Sequence, residues 1–368
     1  MCAAQAALLD AVRAVRRELT RLSDAHKATP CIGRTHGQHA IPITMGFKFA
    51  NYLYEFSVAE RFLERVEVRP CANAGSGAAA VAEGWGGGLR VACAANHTRG
   101  LYERDAPHSP STQIVAKFSG AVGTFASLGT DAVQASIMAQ LGLAAAPIST
   151  QVVSRLHIAD FMFALSAIAA ALERLGKEFR NLQRTELSET SEGFEPGQVG
   201  SSTMPQKRNP HKCERVCGIA RIVRAQLGPA LETVSLEHER DLTNSSVERI
   251  ALPTAVVLTH YILLEMGKVL GVLHVDEERV AANLHAGGGS QLAERIMMAL
   301  AGRLGRQTAH EILKAHAGSG DFVGALRADG RVTGVLSEAD LAELLDPATY
   351  VGLAPAIAAR VVASHGVR

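Results

Sequence analysis

The sequence predicts an all-α protein built as a bundle of long helices, with a small helical domain at its C-terminal end. Alanine and leucine dominate the composition, and 47% of the 368 residues are hydrophobic while 5% are aromatic. Alternating polar and apolar runs, which would indicate strands, are scarce. Apolar stripes at helical spacing, such as the one between Phe161 and Leu175, must pack against neighbouring helices. A bundle, completed by other subunits, is the arrangement that covers them.

The helical pattern recurs along the chain in segments, several of them longer than an average globular helix. In chain order, the predicted helices span 4–22, 45–66, 115–140, 154–186, 209–236 and 245–271. We assign residues 1–286 to the bundle domain. Near Gly287 the pattern changes to shorter helices with more turns, so we assign residues 287–368 to a small C-terminal helical domain. Residues 69–112 interrupt the bundle and are rich in Gly, Ala, Arg and Pro, which predicts a poorly ordered insertion.

Charge and composition exclude several classes of function. The formal net charge of +1 provides no electrostatic attraction for nucleic acid or an anionic membrane. The longest apolar run, 161–172, is too short to span a bilayer. Charged residues at helical spacing, among them Asp10 and Arg13, stand where a secretory leader would be apolar. Cys213 and Cys217 lie four apart with no completing His/Cys set, so we interpret them as buried thiols rather than metal ligands, in keeping with a reducing, cytoplasmic location.

The strongest functional signal is the loop 200–210, which reads Gly-Ser-Ser-Thr-Met-Pro-Gln-Lys-Arg-Asn-Pro. It concentrates hydroxyls, cations and an amide in a Gly/Pro-framed break between two helical stretches. Free backbone N–H groups in such a loop can bind a ligand. On polarity alone, the competing interpretation is an exposed connection without a function.

Four further strings concentrate groups that can do chemistry. Gly-Arg-Thr-His-Gly-Gln-His-Ala at 33–40 lies on a turn that leads into a long helix, and Glu-His-Glu-Arg-Asp-Leu-Thr-Asn-Ser-Ser-Val-Glu-Arg at 237–249 is densely charged. Pro-Ile-Ser-Thr-Gln at 147–151 opens the helix predicted at 154–186. Lys-Phe-Ser-Gly-Ala-Val-Gly-Thr at 117–124 brings mainly small residues to a predicted helix start. Each string also has a purely structural interpretation, because His, Ser, Asn and Thr commonly cap or pack helix ends.

Taken together, these five strings resemble the adenylosuccinate lyase family, a branch of the aspartase/fumarase superfamily. The loop 200–210 fits the superfamily signature G-S-S-x-M-P-x-K-x-N-P at every fixed position, and His-Glu-Arg-Asp at 238–241 selects this branch. The resemblance runs from about residue 9 to about residue 315, apart from 69–112. It implies the long-helix bundle of that superfamily, and a homotetramer whose active sites draw on three subunits.

The resemblance also implies a reaction. Enzymes of this family cleave a C–N bond by β-elimination, releasing fumarate from adenylosuccinate to give AMP, and from the succinyl-carboxamide ribotide of purine biosynthesis. No metal or organic cofactor is implied, because positioned acid, base and anion-binding groups suffice for this chemistry. The expected partner is therefore a small nucleotide substrate, with neither nucleic acid nor membrane.

By position in the motifs, the resemblance implies a role for each candidate residue. Ser201 would be the base that removes the proton next to a carboxylate, and His36 would protonate the leaving nitrogen. Glu214 would orient and charge His36. Lys207 would hold a carboxylate of the succinyl portion and is counted with these catalytic residues. The expected substrate-binding residues are Thr35, Gln151, Ser202, Asn209, Arg240, Ser245 and Arg249, with Arg240, Ser245 and Arg249 near the nucleotide phosphate.

The sequence departs from the family in three respects. The chain begins close to the Thr-His motif, so we expect the family's N-terminal domain to be absent. Residues 69–112 interrupt a stretch that is continuous in the family. Glu237 stands where an aromatic residue is usual, and Cys213 stands where serine is common.

Several alternatives compete with this interpretation. Argininosuccinate lyase also accommodates Gln206, but the arginine-rich string 237–249 favours a phosphate-bearing substrate. Fumarase and the carboxymuconate cycloisomerase are further superfamily alternatives, and His36 counts against the latter. An interpretation from a different class is an inactive fragment or a helical assembly protein, which the intact catalytic set opposes.

Overall fold

The computed structural model describes residues 2–66, 114–141, 143–193, 204 and 207–367. The insertion expected at 69–112 lies outside the described residues, and so do Ser201 and Ser202. The described chain is predominantly helical, which confirms the all-α, long-helix fold class.

The longest helices, α4 and α7, have 27 and 29 residues. Up to residue 271 the elements are α1 (Cys2–Ala25), β1 (Pro30–Thr35), β2 (Gln38–Thr44), α2 (Met45–Arg65), β3 (Val115–Ala116), α3 (Ala132–Leu141), β4 (Ala144–Ala145), α4 (Leu156–Leu182), β5 (Thr190–Ser191), α5 (His211–Ala225), α6 (Leu227–Glu232) and α7 (Thr243–Gly271). They continue as β6 (His274–Val275), α8 (Glu277–His285), α9 (Ala293–Leu304), α10 (Arg306–His316), α11 (Phe322–Ala328), α12 (Gly330–Thr333), α13 (Glu338–Leu344) and α14 (Ala354–His365), with 3-10 turns at Ser290–Leu292 and Pro347–Thr349. Strands β1 and β2 pair antiparallel, as do β5 and β6, whereas β3 and β4 pair parallel.

The helix predicted at 115–140 is wrong over its first half. The segment begins with β3 and a series of turns, and α3 starts at Ala132. Gly120, Gly123 and Gly129 have φ angles of 82°, 87° and 70°, which a right-handed helix excludes. The small residues that suggested a helix start instead permit tight turns.

The described residues divide between two compact units. The first comprises Met1–Ala7, Arg61–Leu165 and Ala225–Val256, and the second comprises Leu8–Glu60, Ser166–Arg224 and Val257–Arg368. In the second unit, the buried rings of Phe49 and Phe179 pack with their centroids 6.4 Å apart. The C-terminal helices of that unit share a further apolar cluster, whose fully buried members include Leu292, Ile296, Leu300, Ile312, Leu326, Val332 and Leu341.

Both α4 and α7 are long and apolar enough, by length and composition, to cross a membrane. In α4, 67% of the most apolar window is buried within the protein, as in the core helix of a bundle, whereas in α7 the share is 39%. The exposed apolar side chains of α7 include Ile250, Val257 and Leu264, which are 69%, 64% and 45% exposed. Their seven-residue spacing puts them on one side of the helix. We call these three residues the α7 face.

Candidate active site

Thr35 and His36 stand at the tip of the β1–β2 hairpin. His36 and Gly37 form the two-residue connection between the strands, with φ angles of 55° and 77°. Two consecutive positive φ values are typical of a type I′ hairpin turn. Both Thr35 and His36 are exposed. The turn that the sequence predicts before a helix is therefore a hairpin tip, and β2 separates it from α2.

A β-bulge between Ile32 and Arg34 interrupts the regular pairing of this hairpin. Gly33 occupies the bulge, and a Cβ atom there would lie 2.7 Å from the carbonyl oxygen of Ile41. Any other residue would push the strands apart at this point, because a carbonyl oxygen of the opposite strand has no room to move away. The bulge thus adjusts the twist of the strand directly before the hairpin tip.

A second histidine of the same motif, His39, lies on β2. Desolvation of its ring, and then the neighbouring Arg34 guanidinium, lower the pKa of His39 below its usual value of 6.5. Both effects disfavour the charged imidazolium form of His39.

Lys207 and Asn209 lie at the end of the polar loop 200–210, and Glu214 follows on α5. Lys207 is exposed, Asn209 is half-buried, and Glu214 is exposed on the first turn of the helix. The helix begins at His211, and the backbone N–H of Glu214 donates to the carbonyl of Pro210 at 2.9 Å. A proline suits this position, because the first turn of a helix leaves its N–H groups without intrahelical partners.

Within the described part of the chain, the side chains of His36 and Glu214 make no hydrogen bond or ion pair with each other or with another described residue. The orienting contact that the resemblance implies is accordingly not formed in this single chain. Both groups are exposed, so each is accessible to a group supplied from outside the chain.

A cleft of about 810 Å³ lies beside Lys207 and Asn209 in the second unit. Its lining carries more cationic than anionic side chains, which makes it a suitable place for a small anion. Sequence analysis did not single out two of its arginines, Arg180 and Arg184. Their four-residue spacing, across the C-terminal end of α4, is the signal that could have identified them, because it places two guanidinium groups near one helix end. The lining consists of Arg180, Gln183, Arg184, Thr185, Glu186, Met204, Lys207, Arg208, Asn209 and Pro210.

Three of the sequence motifs meet in the first unit. An Nη1 atom of Arg240 donates to the Oε1 atom of Gln151 at 2.9 Å, and the backbone N–H of Gln151 donates to the carbonyl of Glu239 at 3.1 Å. Ser119 and Ser149 share a hydrogen bond between their hydroxyls at 3.1 Å. The strings 117–124, 147–151 and 237–249 therefore form one cluster, although about ninety residues separate Gln151 from Arg240 along the chain.

Lys117 lies in the same cluster. Its Nζ atom donates to the carbonyls of Gly120 at 2.5 Å and Thr150 at 3.4 Å. Desolvation, and then the charge of Arg240, lower the pKa of Lys117 from its usual value of 10.5. Two neighbouring cations that repel each other are held together here by the fold, which favours a site that receives an anion.

Ser245 and Arg249 lie in the first two turns of α7. Ser245 is half-buried and Arg249 is exposed, and neither side chain bonds to another described residue. Asp241 accepts hydrogen bonds from the backbone N–H groups of Thr243 and Glu237 at 2.7 Å and 2.6 Å, which fixes the chain just before the helix. The start of α7 thus offers a hydroxyl and a guanidinium, a combination that suits phosphate.

Comparison with known proteins places this geometry in context. A family model described as "Lyase" matches residues 1–98 and 99–225, and one described as "Adenylosuccinate lyase C-terminus" matches residues 289–361. The adenylosuccinate lyase of Pyrococcus horikoshii is 39% identical over 359 residues, which cover 95% of this chain and 70% of the relative. The chain belongs to the adenylosuccinate lyase family. The family's enzyme from Methanothermobacter thermautotrophicus is likewise 39% identical, over 96% of this chain and 73% of that protein.

Solved structures extend the likeness across the wider superfamily. The fumarate lyase of Mesorhizobium sp. BNC1 matches with a TM-score of 0.78 and 28% identity, covering 98% of this chain and 73% of that one. The 3-carboxy-cis,cis-muconate lactonizing enzyme of Pseudomonas putida matches with a TM-score of 0.79 and 27% identity, covering 98% and 72%. The bundle is therefore common to several chemistries, and the higher sequence identity to adenylosuccinate lyases selects among them.

In this member of the adenylosuccinate lyase family, the described candidate residues fall into separate groups. Thr35 and His36 occupy the hairpin tip, while Lys207, Asn209 and Glu214 occupy the end of the loop and α5. The remaining described candidates belong to the first unit, where Gln151 and Arg240 are in contact and Ser245 and Arg249 lie on α7. The roles of these residues remain predictions that mutagenesis can test.

Substitution of Gly123 by alanine is expected to destabilise the cluster around Lys117. A Cβ atom at Gly123 would lie 1.9 Å from the carbonyl oxygen of Ser149, and its φ of 87° strains any L side chain. Together these effects should lower the free energy of unfolding by about 2 kcal/mol or more. Thermal unfolding followed by circular dichroism measures the change. Gly129→Ala is the matched control, because the φ of Gly129 is also positive at 70° but no atom lies within 4 Å of the added Cβ. Equal decreases in melting temperature for the two variants would contradict the steric argument.

Proposed function

We propose that this chain is a C–N lyase that releases fumarate by β-elimination from adenylosuccinate, giving AMP, and from the succinyl-carboxamide ribotide of purine biosynthesis. The observation that carries the proposal is the cluster of Gln151 and Arg240 with neighbouring Lys117, in a chain of this family. Such a set of cations and an amide suits a phosphorylated substrate better than the phosphate-free substrate of argininosuccinate lyase.

In the proposed reaction, a C–H bond next to a carboxylate and the adjacent C–N bond break, and the double bond of fumarate forms between the two carbons. Ser201 removes the proton, and loop N–H groups together with Lys207 stabilise its anionic form. Lys207 and Asn209 hold the neighbouring carboxylate of the succinyl portion while negative charge develops on it. His36 donates a proton to the nitrogen as it leaves with the electron pair of the C–N bond.

The nucleotide portion is placed by a different set of residues. Arg240, Ser245 and Arg249 bind the phosphate or adjacent groups, and Gln151 and Thr35 contact the substrate, with Ser202 assisting in the loop. The electropositive cleft beside Lys207, which includes Arg180 and Arg184, supports the binding of a multiply charged anion near the reacting carbons. Guanidinium groups match carboxylate and phosphate geometry through paired hydrogen bonds.

We further propose that the active unit is a homotetramer whose active sites are shared between subunits. The α7 face exposes apolar side chains that a second α7 helix could cover, as facing stripes do in helix bundles. The unpaired His36 and Glu214 side chains described above fit a site that another subunit completes. Such an assembly would also bury the apolar surface of α7 and would suit a soluble, cytoplasmic enzyme.

The domain division proposed is a bundle over 1–286 and a C-terminal helical domain over 287–368. The family model for the C-terminal part begins at residue 289, close to this boundary. The apolar cluster of the C-terminal helices, which starts at Leu292, provides that part with a core of its own.

Fumarate release from adenylosuccinate, followed by the ultraviolet change, tests the proposed function on the purified chain. Light scattering on the same sample gives the mass of the assembly. Turnover by a species of four subunits supports both proposals. Assembly without turnover would favour the competing interpretation of a helical assembly protein, and turnover by a monomer would refute the shared site.

Arg249→Met is expected to weaken binding of AMP by about 10-fold or more, because a charge-assisted hydrogen bond contributes about 1.5–3 kcal/mol. Titration calorimetry gives the dissociation constant, and far-ultraviolet circular dichroism should show unchanged helix content. Arg17→Met, at an exposed position of α1, is the matched control and should bind AMP like the unaltered chain. An unchanged dissociation constant for Arg249→Met would contradict the phosphate assignment.

A further inference from the structure

Two buried carboxylates flank the short strand β5, and each holds an element that carries proposed catalytic residues. Glu189 precedes the strand and Glu192 follows it, with 0% and 2% of their surfaces exposed. Buried carboxylates are uncommon unless they are paired or accept several hydrogen bonds. Their partners therefore indicate what these two side chains do.

Glu189 holds the hairpin that carries Thr35 and His36. Its two carboxylate oxygens accept hydrogen bonds from both terminal nitrogens of Arg34, at 3.0 Å and 2.5 Å. Asn283 of α8 donates a further hydrogen bond to the same carboxylate at 2.9 Å. A two-point pair between a guanidinium and a carboxylate fixes direction as well as distance. Arg34 directly precedes Thr35, so this contact orients the strand at the base of the hairpin tip.

Glu192 holds the start of α5. Its carboxylate accepts hydrogen bonds from the backbone N–H groups of Lys212 and Cys213, at 3.2 Å and 2.7 Å. A carboxylate at a helix N-terminus satisfies N–H groups that lack intrahelical partners and complements the helix dipole. Glu214 lies on the same turn. The position of Glu192 therefore determines where this part of α5 begins.

The chain between the loop and α5 is attached to the same place through Gln183. The Oε1 atom of Gln183 accepts a hydrogen bond from the backbone N–H of Glu192 at 2.9 Å. Its Nε2 atom donates to the carbonyl of Arg208 at 3.0 Å. Arg208 lies between Lys207 and Asn209, so the end of the polar loop is linked to the residue that caps α5.

Strand β5 is itself firmly attached within the second unit. It pairs antiparallel with β6, and the backbone of Glu189 bonds to Leu182 and Asp276 at 2.9 Å and 3.0 Å. One fixed segment thus contacts both the hairpin and the start of α5 through charged side chains. An apolar pair of similar size could hold the fold as well as the buried pair of Glu189 and Arg34 does, so stability alone does not require charges at those two positions.

We propose that Glu189 and Glu192 are positioning residues for the lyase reaction, with Glu189 setting the direction of the hairpin that carries His36 and Glu192 setting the start of α5. This inference rests on the proposed function. Neither carboxylate touches substrate in the proposal; each acts through the element that it holds. Displacement of about 1 Å in a catalytic group can lower a rate by up to about 100-fold, so loss of either contact should be visible in steady-state kinetics.

The kinetic test uses Glu189→Gln and Glu192→Gln, which remove charge with little change in size. Glu189→Gln should lower kcat by about 10-fold and leave KM within about twofold, because proton donation by His36 acts in the transition state. Glu192→Gln should raise KM, because the end of the loop and α5 hold the succinyl carboxylate before reaction as well as during it. The different responses of kcat and KM distinguish the two roles from a general loss of stability.

Glu60→Gln is the matched control for a purely structural carboxylate. Glu60 is 3% exposed and forms ion pairs with Arg13 and Arg16 of α1, so it holds helices rather than catalytic elements. Its kcat and KM should stay within twofold of the unaltered chain, whatever its melting temperature. Equal kinetic losses in Glu60→Gln and Glu189→Gln would overturn the proposal.

A second measurement does not depend on activity. Hydrogen exchange should become faster in residues 30–44 for Glu189→Gln, and in the first turn of α5 for Glu192→Gln, with neither change in Glu60→Gln. Unchanged hydrogen exchange in both regions would overturn the positioning roles, even if the chain were inactive. Absence of fumarate release from the unaltered chain would instead refute the proposed function. If Glu189→Gln fails to fold, the double variant Arg34→Met/Glu189→Met takes its place, because the double variant leaves no unpaired buried charge. A kcat and a hydrogen-exchange rate equal to those of the unaltered chain would again overturn the proposal.

Discussion

Replacement of Ser201 by alanine should lower kcat by about 10³-fold or more while the assembly stays intact. Proton removal by a positioned base contributes about 10²–10⁴-fold to a rate, and alanine has no group that can accept the proton. Because the sequence predicts a polar loop at 200–210 rather than a helix core, we expect the change to have little effect on unfolding. Fumarate release measures kcat, and light scattering measures the mass.

Ser202→Ala provides the comparison within the same loop. It removes a hydroxyl from the adjacent position, and its proposed role in substrate binding predicts a higher KM with a smaller loss of kcat. A near-normal kcat for Ser201→Ala would contradict the proposal that Ser201 is the base. An equal decrease in kcat for Ser201→Ala and Ser202→Ala would contradict it as well.

A mixture of two inactive variants extends this test to the proposed sharing of sites. The Ser201→Ala and His36→Gln chains are unfolded together and reassembled into mixed tetramers. If Ser201 and His36 of one active site come from different subunits, random mixing leaves both residues unaltered in roughly one site in four, and these sites should regain activity. Each variant reassembled alone should stay inactive. If the mixture also stays inactive although mixed tetramers form, the two residues belong to one subunit.

Replacement of Val257 by glutamate in the α7 face should break the assembly and abolish fumarate release. Val257 is 64% exposed in the single chain, so the charge costs little there. In the proposed tetramer the same position is covered by another helix, where an unpaired carboxylate costs several kcal/mol per copy. Light scattering should show a smaller species, and the activity assay should show no turnover.

The control for this prediction is Met298→Glu on α9. Met298 is 67% exposed, so the same chemical change is made on an equally exposed apolar side chain outside the α7 face. We expect this variant to remain tetrameric and active. A tetramer for Val257→Glu, or dissociation of both variants, would remove the α7 face from the proposed interface.

Long-range periodicity made much of the helical fold predictable. The helix predicted at 154–186 is α4, Leu156–Leu182, and that predicted at 245–271 is α7, Thr243–Gly271. In α4 an apolar stripe extends over many turns, and α7 is rich in apolar residues over most of its length, so errors at the ends do not alter either assignment. The β1–β2 hairpin was not predicted, because its strands are short and its His-Gly turn lacks the Asn-Gly or Asp-Gly pair that usually marks such turns.

The candidate site was predictable to a different degree. The motifs indicated which residues to examine, but no spacing rule brings Gln151 to Arg240, since that contact depends on the tertiary fold. Sequence analysis missed three further residues for the same reason, namely Arg180, Glu189 and Glu192. Each is an ordinary charged residue in the sequence, and only its neighbours in the folded chain indicate a role. The proposed role of Glu189 depends on its contact with Arg34, which is 155 residues away along the chain.

The backbone conformation of His36 bears on whether this chain has been kept for catalysis. A φ of 55° is unfavourable for most L residues, and asparagine or glycine would occupy that turn position with less strain. Either substitution would relieve a purely helical scaffold of this conformational cost. If His36 donates the proton as proposed, the turn gives up stability for activity.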